Sequence, residues 1–300
     1  TKAIVLQSNS GYSSTIINGG LSGSGIHVSS GYDANIPTII KGFTITNSVH
    51  SGIRLSYGAT IENCLLNENT GDGIYTNQGS DTVRVKNCLL SNNAGYGFYS
   101  FGTKNKIISS KIYNNSNNGL HLYNSYSIIN NCLVYRNTGK GIDTMADLNG
   151  WGTTITRITN STITKNSHSI GFHEGESVHV VNSILAENAD SSITVMGLLS
   201  TLNISYSLIE GGISYIAYGG SDNGILTWGS GNINANPAFT DTTNNNYTLN
   251  AISPAIGAGT ATGAPSTDII GTARPTPSGS NPDMGTYENA RPSQRPKAGA

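Results

Sequence analysis

The sequence predicts an all-β solenoid of short stacked coils, about 22 residues per coil, finished by a segment that does not repeat. Three observations carry this prediction. One phrase recurs four times, as GIRLSYGATIENCLLNENTGD, GIYTNQGSDTVRVKNCLLSNNAGY, GFYSFGTKNKIISSKIYNNSNN and GLHLYNSYSIINNCLVYRNTGK, with restarts at Gly52, Gly73, Gly97, Gly119 and Gly141. Its apolar runs are short and alternate with period two, as strands do and helices do not. Gly and Asn recur between the runs, where sharp corners call for residues that tolerate a left-handed backbone.

Taken in order, the segment from Thr1 to Ser51 reads as roughly two coils. Ile4, Val5 and Leu6 belong to its first strand, and Phe43 to Asn47 matches the second half of a repeat. Each full unit then opens on a Gly and an inward Ile, Phe or Leu, and turns into a second apolar run around Ile61, Val85, Ile107 or Ile129. A column of Asn63, Asn87, Ser109 and Asn131 follows, then Cys64, Cys88, Ser110 and Cys132, and finally Asn69, Asn93, Asn115 and Asn137. Stacked at the strand spacing of about 4.8 Å, the amides become ladders and the aliphatic columns an interior. The unit swells after Gly141 with an insertion from Asp147 to Gly152, regains its pattern at Asn160 and Asn166 and again at Asn182 and Asn188, and degrades after Ser205. This divides the chain into a coil region (1–230), a capping region (231–288) expected to hide the last strand edge, and a Pro-containing basic tail (289–300).

These repeats resemble the right-handed parallel β-helix of the pectate-lyase-like type, and strings such as Pro282 to Glu288 resemble the C-terminal finish of secreted bacterial surface proteins of that architecture. The resemblance implies a single-stranded right-handed parallel β-helix solenoid and an extracellular or cell-surface location of bacterial type.

Charged residues make up 11% of the chain and the formal net charge is -1, which argues against a strongly basic surface and a nucleic-acid partner. No apolar run is long enough for a membrane span. The three cysteines share one inward column, where stacked side chains point the same way, so they read as buried thiols.

Alternation turns Ile53, Ile74, Phe98, Leu120 and Ile142 inward and leaves His27, Arg54, Tyr75, Tyr99, His121 and Asp143 in one outward column, with His173 expected to continue it. A second outward column holds Ser56, Asn77, Phe101, Tyr123 and Met145. Arg54, Tyr75, Tyr99, Phe101 and Tyr123 are candidates for binding a glycan, because aromatic rings match the apolar faces of sugars. His121, Asp143 and His173 are candidates for proton transfer. Asp143 is expected to have no basic partner nearer than a His. The sequence cluster His168, His173, Glu174, Glu176 and His179 reads as a polar turn, since alternation sends its side chains to different faces. The chain lacks the Asp-Asp, Gly-His-Gly and Arg-Ile-Lys strings that the resemblance would imply for a polygalacturonase. No cofactor or metal site is expected, calcium entering only if the protein is a lyase.

Two functional readings follow. In the first, the protein is a structural or adhesive cell-surface component that self-associates head to tail, the open edge at Ile4, Val5 and Leu6 being covered by a tail containing Arg291, Arg295 and Lys297. In the alternative, it is a polysaccharide lyase or glycoside hydrolase, or a glycan-binding module, working through the outward aromatic and His face.

Overall fold

The computed structural model describes residues 4–29, 38–77, 82–146, 154–173, 175–190, 193–197, 199–219 and 224–293. Its strands stack into three parallel sheets that form the walls of a β-helix. Among the described residues, sheet A has ten strands, from Val5–Gln7 to Ile225–Trp228; sheet B has nine, from Ile16–Asn18 to Leu208–Ile209; sheet C has nine, from Ser24–Val28 to Ile216–Gly219. Each strand pairs with the strand one coil before and one coil after it, as in Leu66↔Leu90↔Ile112.

Inward columns fill the core. In sheet C, Ile53, Ile74, Phe98, Leu120, Ile142, Ile170 and Ile193 lie in register and all are 0% exposed. One buried amide ladder accompanies them. The Nδ2 of Asn69 donates to Oδ1 of Asn93 at 2.9 Å, and the pattern repeats from Asn93 to Asn115, Asn115 to Asn137, Asn137 to Asn166 and Asn166 to Asn188, across separations of 24, 22, 22, 29 and 22 residues. The single step of 29 is the swollen coil. Each of these amides also bonds a backbone carbonyl, so the buried polar groups at the corner are satisfied along the axis.

Two corners need a left-handed backbone. Asn63, Asn87, Ser109, Asn131, Asn160 and Asn182 supply one, as their residue types suggest; the other falls on the residue before each buried amide and includes Glu68, Arg136, Lys165 and Glu187. The restart glycines serve a different purpose from the one expected. None of Gly52, Gly73, Gly97, Gly119 and Gly141 has a positive φ. A Cβ on Gly73 or Gly97 would instead lie 2.6 Å from the carbonyl oxygen of the glycine one coil on, so close stacking excludes any side chain there.

The free thiols of Cys64, Cys88 and Cys132 are buried in one column. After Ile233 has bridged in parallel to Leu208 on the last strand of sheet B, the chain leaves the coil path from about Asn236 and runs back along the flank of that sheet. Its contacts lie on earlier coils: Thr286 Oγ1 donates to the Cys132 carbonyl, Asn160 Nδ2 to that of Asp283, and Asn182 Nδ2 to that of Thr260. The reason is apolar. Outward residues of sheet B, including Leu133, Tyr135, Ile184, Ala186 and Leu208, need cover, and Tyr247, Tyr287, Ile256 and Met284 provide it.

At the other end Ile4 and Val5 are each 62% exposed and Leu6 is also exposed, and among the described residues the strand Val5–Gln7 pairs only with Thr38–Lys41. Arg291 is exposed as well, while Arg295 and Lys297 lie outside the described residues. No helix among the described residues is long and apolar enough to cross a membrane.

Candidate active site

The outward face of sheet C brings together most of the residues singled out from the sequence. Register places His27, Arg54, Tyr75, Tyr99, His121 and Asp143 side by side on six consecutive coils. From Arg54 to His121 the side chains form a continuous stack. The Arg54 guanidinium lies 5.0 Å from the Tyr75 ring centre; Tyr75 and Tyr99 stack at 5.1 Å and 6°; Tyr99 and His121 at 5.2 Å and 26°. Rings piled this way cover one another's faces, so the stack offers ring edges and phenol hydroxyls to a ligand, not the flat faces expected from sequence. Edges carry the positive end of the aromatic quadrupole. Beside this column, Phe101 and Tyr123 stack at 5.1 Å, with Met145 next in register.

At its upper end the stack meets a charged cluster around Asp143, which is 6% exposed. His121 Nδ1 is 3.1 Å from Oδ2, and Asn118 Nδ2 donates to the same oxygen at 3.2 Å. Lys140 Nζ is 2.5 Å from Oδ1, and His173 Nε2 is 3.7 Å from it. Burial pushes the Asp143 carboxyl up, but hydrogen bonds from His121, His173 and Lys140, with the Lys140 charge, outweigh it and hold the group well below the usual carboxylate range.

This geometry corrects two expectations. Asp143 does have a basic partner, Lys140, three residues earlier in the turn that leads into the strand. His173 does not continue the outward column, because Gly171 pairs with Asp143 there. A Cβ on Gly171 would sit 2.5 Å from Lys140 Nζ, so the missing side chain makes room for the lysine, and His173 reaches Asp143 from two residues further along.

Three more residues belong to the site and were not anticipated. Tyr96, on the turn before its strand, packs its ring 4.9 Å from His121 and 5.5 Å from Tyr99. Burial raises both phenols above their ordinary value, so they stay protonated. Asp72 accepts a hydrogen bond from the Tyr96 backbone N–H at 2.8 Å, and burial lifts its carboxyl to about 6.

Glu176, expected in a polar turn, is 1% exposed. Its Oε2 accepts from the Thr144 hydroxyl and from the His173 backbone N–H at 2.9 Å, while Oε1 has no partner. Burial, with the nearby Asp143 charge adding to it, lifts this carboxyl to about 8. Two carboxyls driven apart in this way can take opposite protonation states near neutrality. Of the rest of that cluster, His179 lies on sheet A, His168 is 4.0 Å from Asp190, and Glu174 falls outside the described residues.

Calcium does not fit here. It takes six to eight oxygen ligands, whereas the Asp143 oxygens face four nitrogen donors. Among the described residues no three His, Cys, Asp or Glu side chains converge as a metal site would require.

A family model described as "Right handed beta helix region" matches residues 2–151. Among solved structures, the pectate lyase Pel9A superposes with a TM-score of 0.56 at 19% identity, covering 89% of this chain and 73% of that one. The A-module of the Azotobacter vinelandii mannuronan C-5 epimerase AlgE6 superposes with a TM-score of 0.57 at 15% identity, covering 77% and 78%. At such identities the likeness is one of fold. No curated protein matches the chain.

Proposed function

The chain belongs to the right-handed β-helix family, and we propose that it is a polysaccharide-active enzyme that lays an extended glycan across sheet C and transfers a proton on it. One observation supports this above the others: the Tyr75, Tyr99 and His121 stack runs straight into an aspartate held ionised between two imidazoles and a lysine. Such a row of phenol hydroxyls and positive ring edges suits sugar hydroxyls and carboxylates. The two similar folds, a lyase and an epimerase by name, favour the same class of substrate.

In this reading Asp143 orients the imidazoles of His121 and His173. His173, with a side chain 29% exposed against 11% for His121, is the accessible base that removes a proton from a sugar carbon next to a carboxyl. Lys140, paired with Asp143, compensates negative charge that develops on the sugar carboxylate; the carbanion then either expels the C4 oxygen, which takes a proton from water, or takes a proton back from water at the same carbon. An extracellular polysaccharide would place the protein outside the cell.

The test is incubation of the full chain in heavy water with acidic and neutral polysaccharides, followed by absorbance of unsaturated ends and NMR of deuterium incorporation. We expect elimination or exchange with an acidic polysaccharide, lost in His173→Ala and Asp143→Asn variants whose circular dichroism is unchanged. Absence of binding, exchange and cleavage with every polysaccharide would overturn the reading.

A further inference from the structure

Sheet A carries a dense group of exposed cations that the net charge of -1 conceals. Alternation turns Val83, Val85, Asn105 and Ile107 inward and leaves Arg84, Lys86, Lys104 and Lys106 exposed on two neighbouring strands. Arg84 stands directly opposite Lys106. Lys86 and Lys104 flank that pair, each two residues along its own strand, a step of about 7 Å. Arg157, also exposed, occupies the same column two coils beyond Lys106, with Ile128 between them. Among the described residues none of these five lies within ion-pair distance of a carboxylate; Glu62, the one acid on this outer face among those residues, stands in register between Lys41 and Lys86 and is 3.8 Å from Lys41.

Like charges placed directly opposite destabilise a sheet. The fold does not require them here, since Thr60, Ile128 and Asn203 fill other places in the same column. The arrangement therefore works against the free protein and is relieved by a bound anion. Apolar surface lies between the charges: Tyr126, 38% exposed, is the register neighbour of Lys104, and Ile108 and Ile128 are half-buried. A ligand that matches this face carries regular negative charge and has apolar faces of its own.

We propose that the outer face of sheet A is a second binding site, for a linear polyuronate, separate from the column on sheet C. A chain of uronic acid sugars running along the solenoid axis meets a new row of outward residues at each coil, about every 4.8 Å, close to the length of one pyranose. Its carboxylates pair with Arg84, Lys106 and Arg157, and its ring faces lie on Tyr126 and Ile128. Duplex nucleic acid matches the charge but keeps its base faces stacked inside the helix, away from Tyr126 and Ile128.

The experiment is affinity electrophoresis and calorimetry of the full chain with polygalacturonate, a neutral glucan and duplex DNA over a range of salt. Lys104→Gln with Lys106→Gln, two exposed changes, should weaken polygalacturonate binding at least tenfold, flatten its salt dependence and leave thermal stability equal or higher. Tyr75→Ala with Tyr99→Ala, which alters sheet C only, should retain the salt-dependent component. Unchanged affinity in the lysine variant, loss of all binding in the tyrosine variant, or tighter binding of DNA than of polygalacturonate would each overturn the proposal. Because binding is read without turnover, absence of enzymatic product would not affect the result.

Discussion

Ionising Glu176 should weaken the fold by an amount that the structure sets. In the unfolded chain its carboxyl titrates near the ordinary value of 4.5, and in the fold near 8. The folded value is the higher, so folding takes up a proton between the two, and the associated stability is complete below about pH 4.5 and lost as pH rises to about 8. At about 1.4 kcal/mol for each power of ten, the whole difference is ~5 kcal/mol, of which about 3–4 kcal/mol falls between pH 5 and 8. The comparison to make is with Glu176→Gln, whose amide oxygen still accepts from Thr144 and from the His173 N–H but cannot ionise. Urea titrations at several pH values, followed by circular dichroism, would give both curves. Wild type should fall relative to the variant by that amount as pH rises. Other raised carboxyls, Asp72 and Asp283, contribute equally to both proteins and cancel. The same experiment followed by NMR should show the His173 amide shifting with the titration in wild type alone. If the two stability curves run parallel from pH 5 to 9, Glu176 is not a buried acid held against its preferred charge, and the reasoning fails.

Truncating one rung of the amide ladder, Asn115→Ala, leaves the Asn93 backbone N–H and one Asn93 amide proton without their partner; at about 1–3 kcal/mol per orphaned group the loss should be ~2–6 kcal/mol by denaturant titration, against less than about 0.5 kcal/mol for the exposed Ser116→Ala. Gly97→Ala forces a methyl to within 2.6 Å of the Gly119 carbonyl oxygen and 2.5 Å of the Ile112 side chain, and should cost about 1–3 kcal/mol, visible as a lower melting temperature. Burial pushes the Cys132 thiol up to about 12, so at pH 8 it should resist a thiol reagent that labels it promptly in denaturant. Arg136→Ala removes the donor to the Thr242 carbonyl at 2.9 Å and should speed hydrogen exchange in the returning C-terminal segment while leaving the coils protected.

Much of this molecule is legible in its sequence because a solenoid repeats its environment. The period of the phrase sets the coil, alternation separates inward Ile74 and Phe98 from outward Tyr75 and Tyr99, and recurring Asn marks the corners; these are local properties, and stacking merely multiplies them. The same logic puts Arg54, Tyr75, Tyr99, His121 and Asp143 in one row. It gave the restart glycines the wrong reason, since their φ values are not positive and the constraint is the carbonyl of the neighbouring coil, an atom 21 to 28 residues away.

What only the tertiary structure decided is where the irregular residues reach. Period two says nothing about a turn, so the approach of Lys140 and His173 to Asp143, the ring of Tyr96 against His121 and the burial of Glu176 behind Thr144 depend on how one corner overhangs the next. The path of the C-terminal segment depends likewise on which flank of the coils was left apolar, and the opposition of Arg84 to Lys106 on a register that counting along one strand does not reveal. Repetition is written along the chain and can be read there; convergence between coils is a property of the stack, fixed only when all of its rungs are in place.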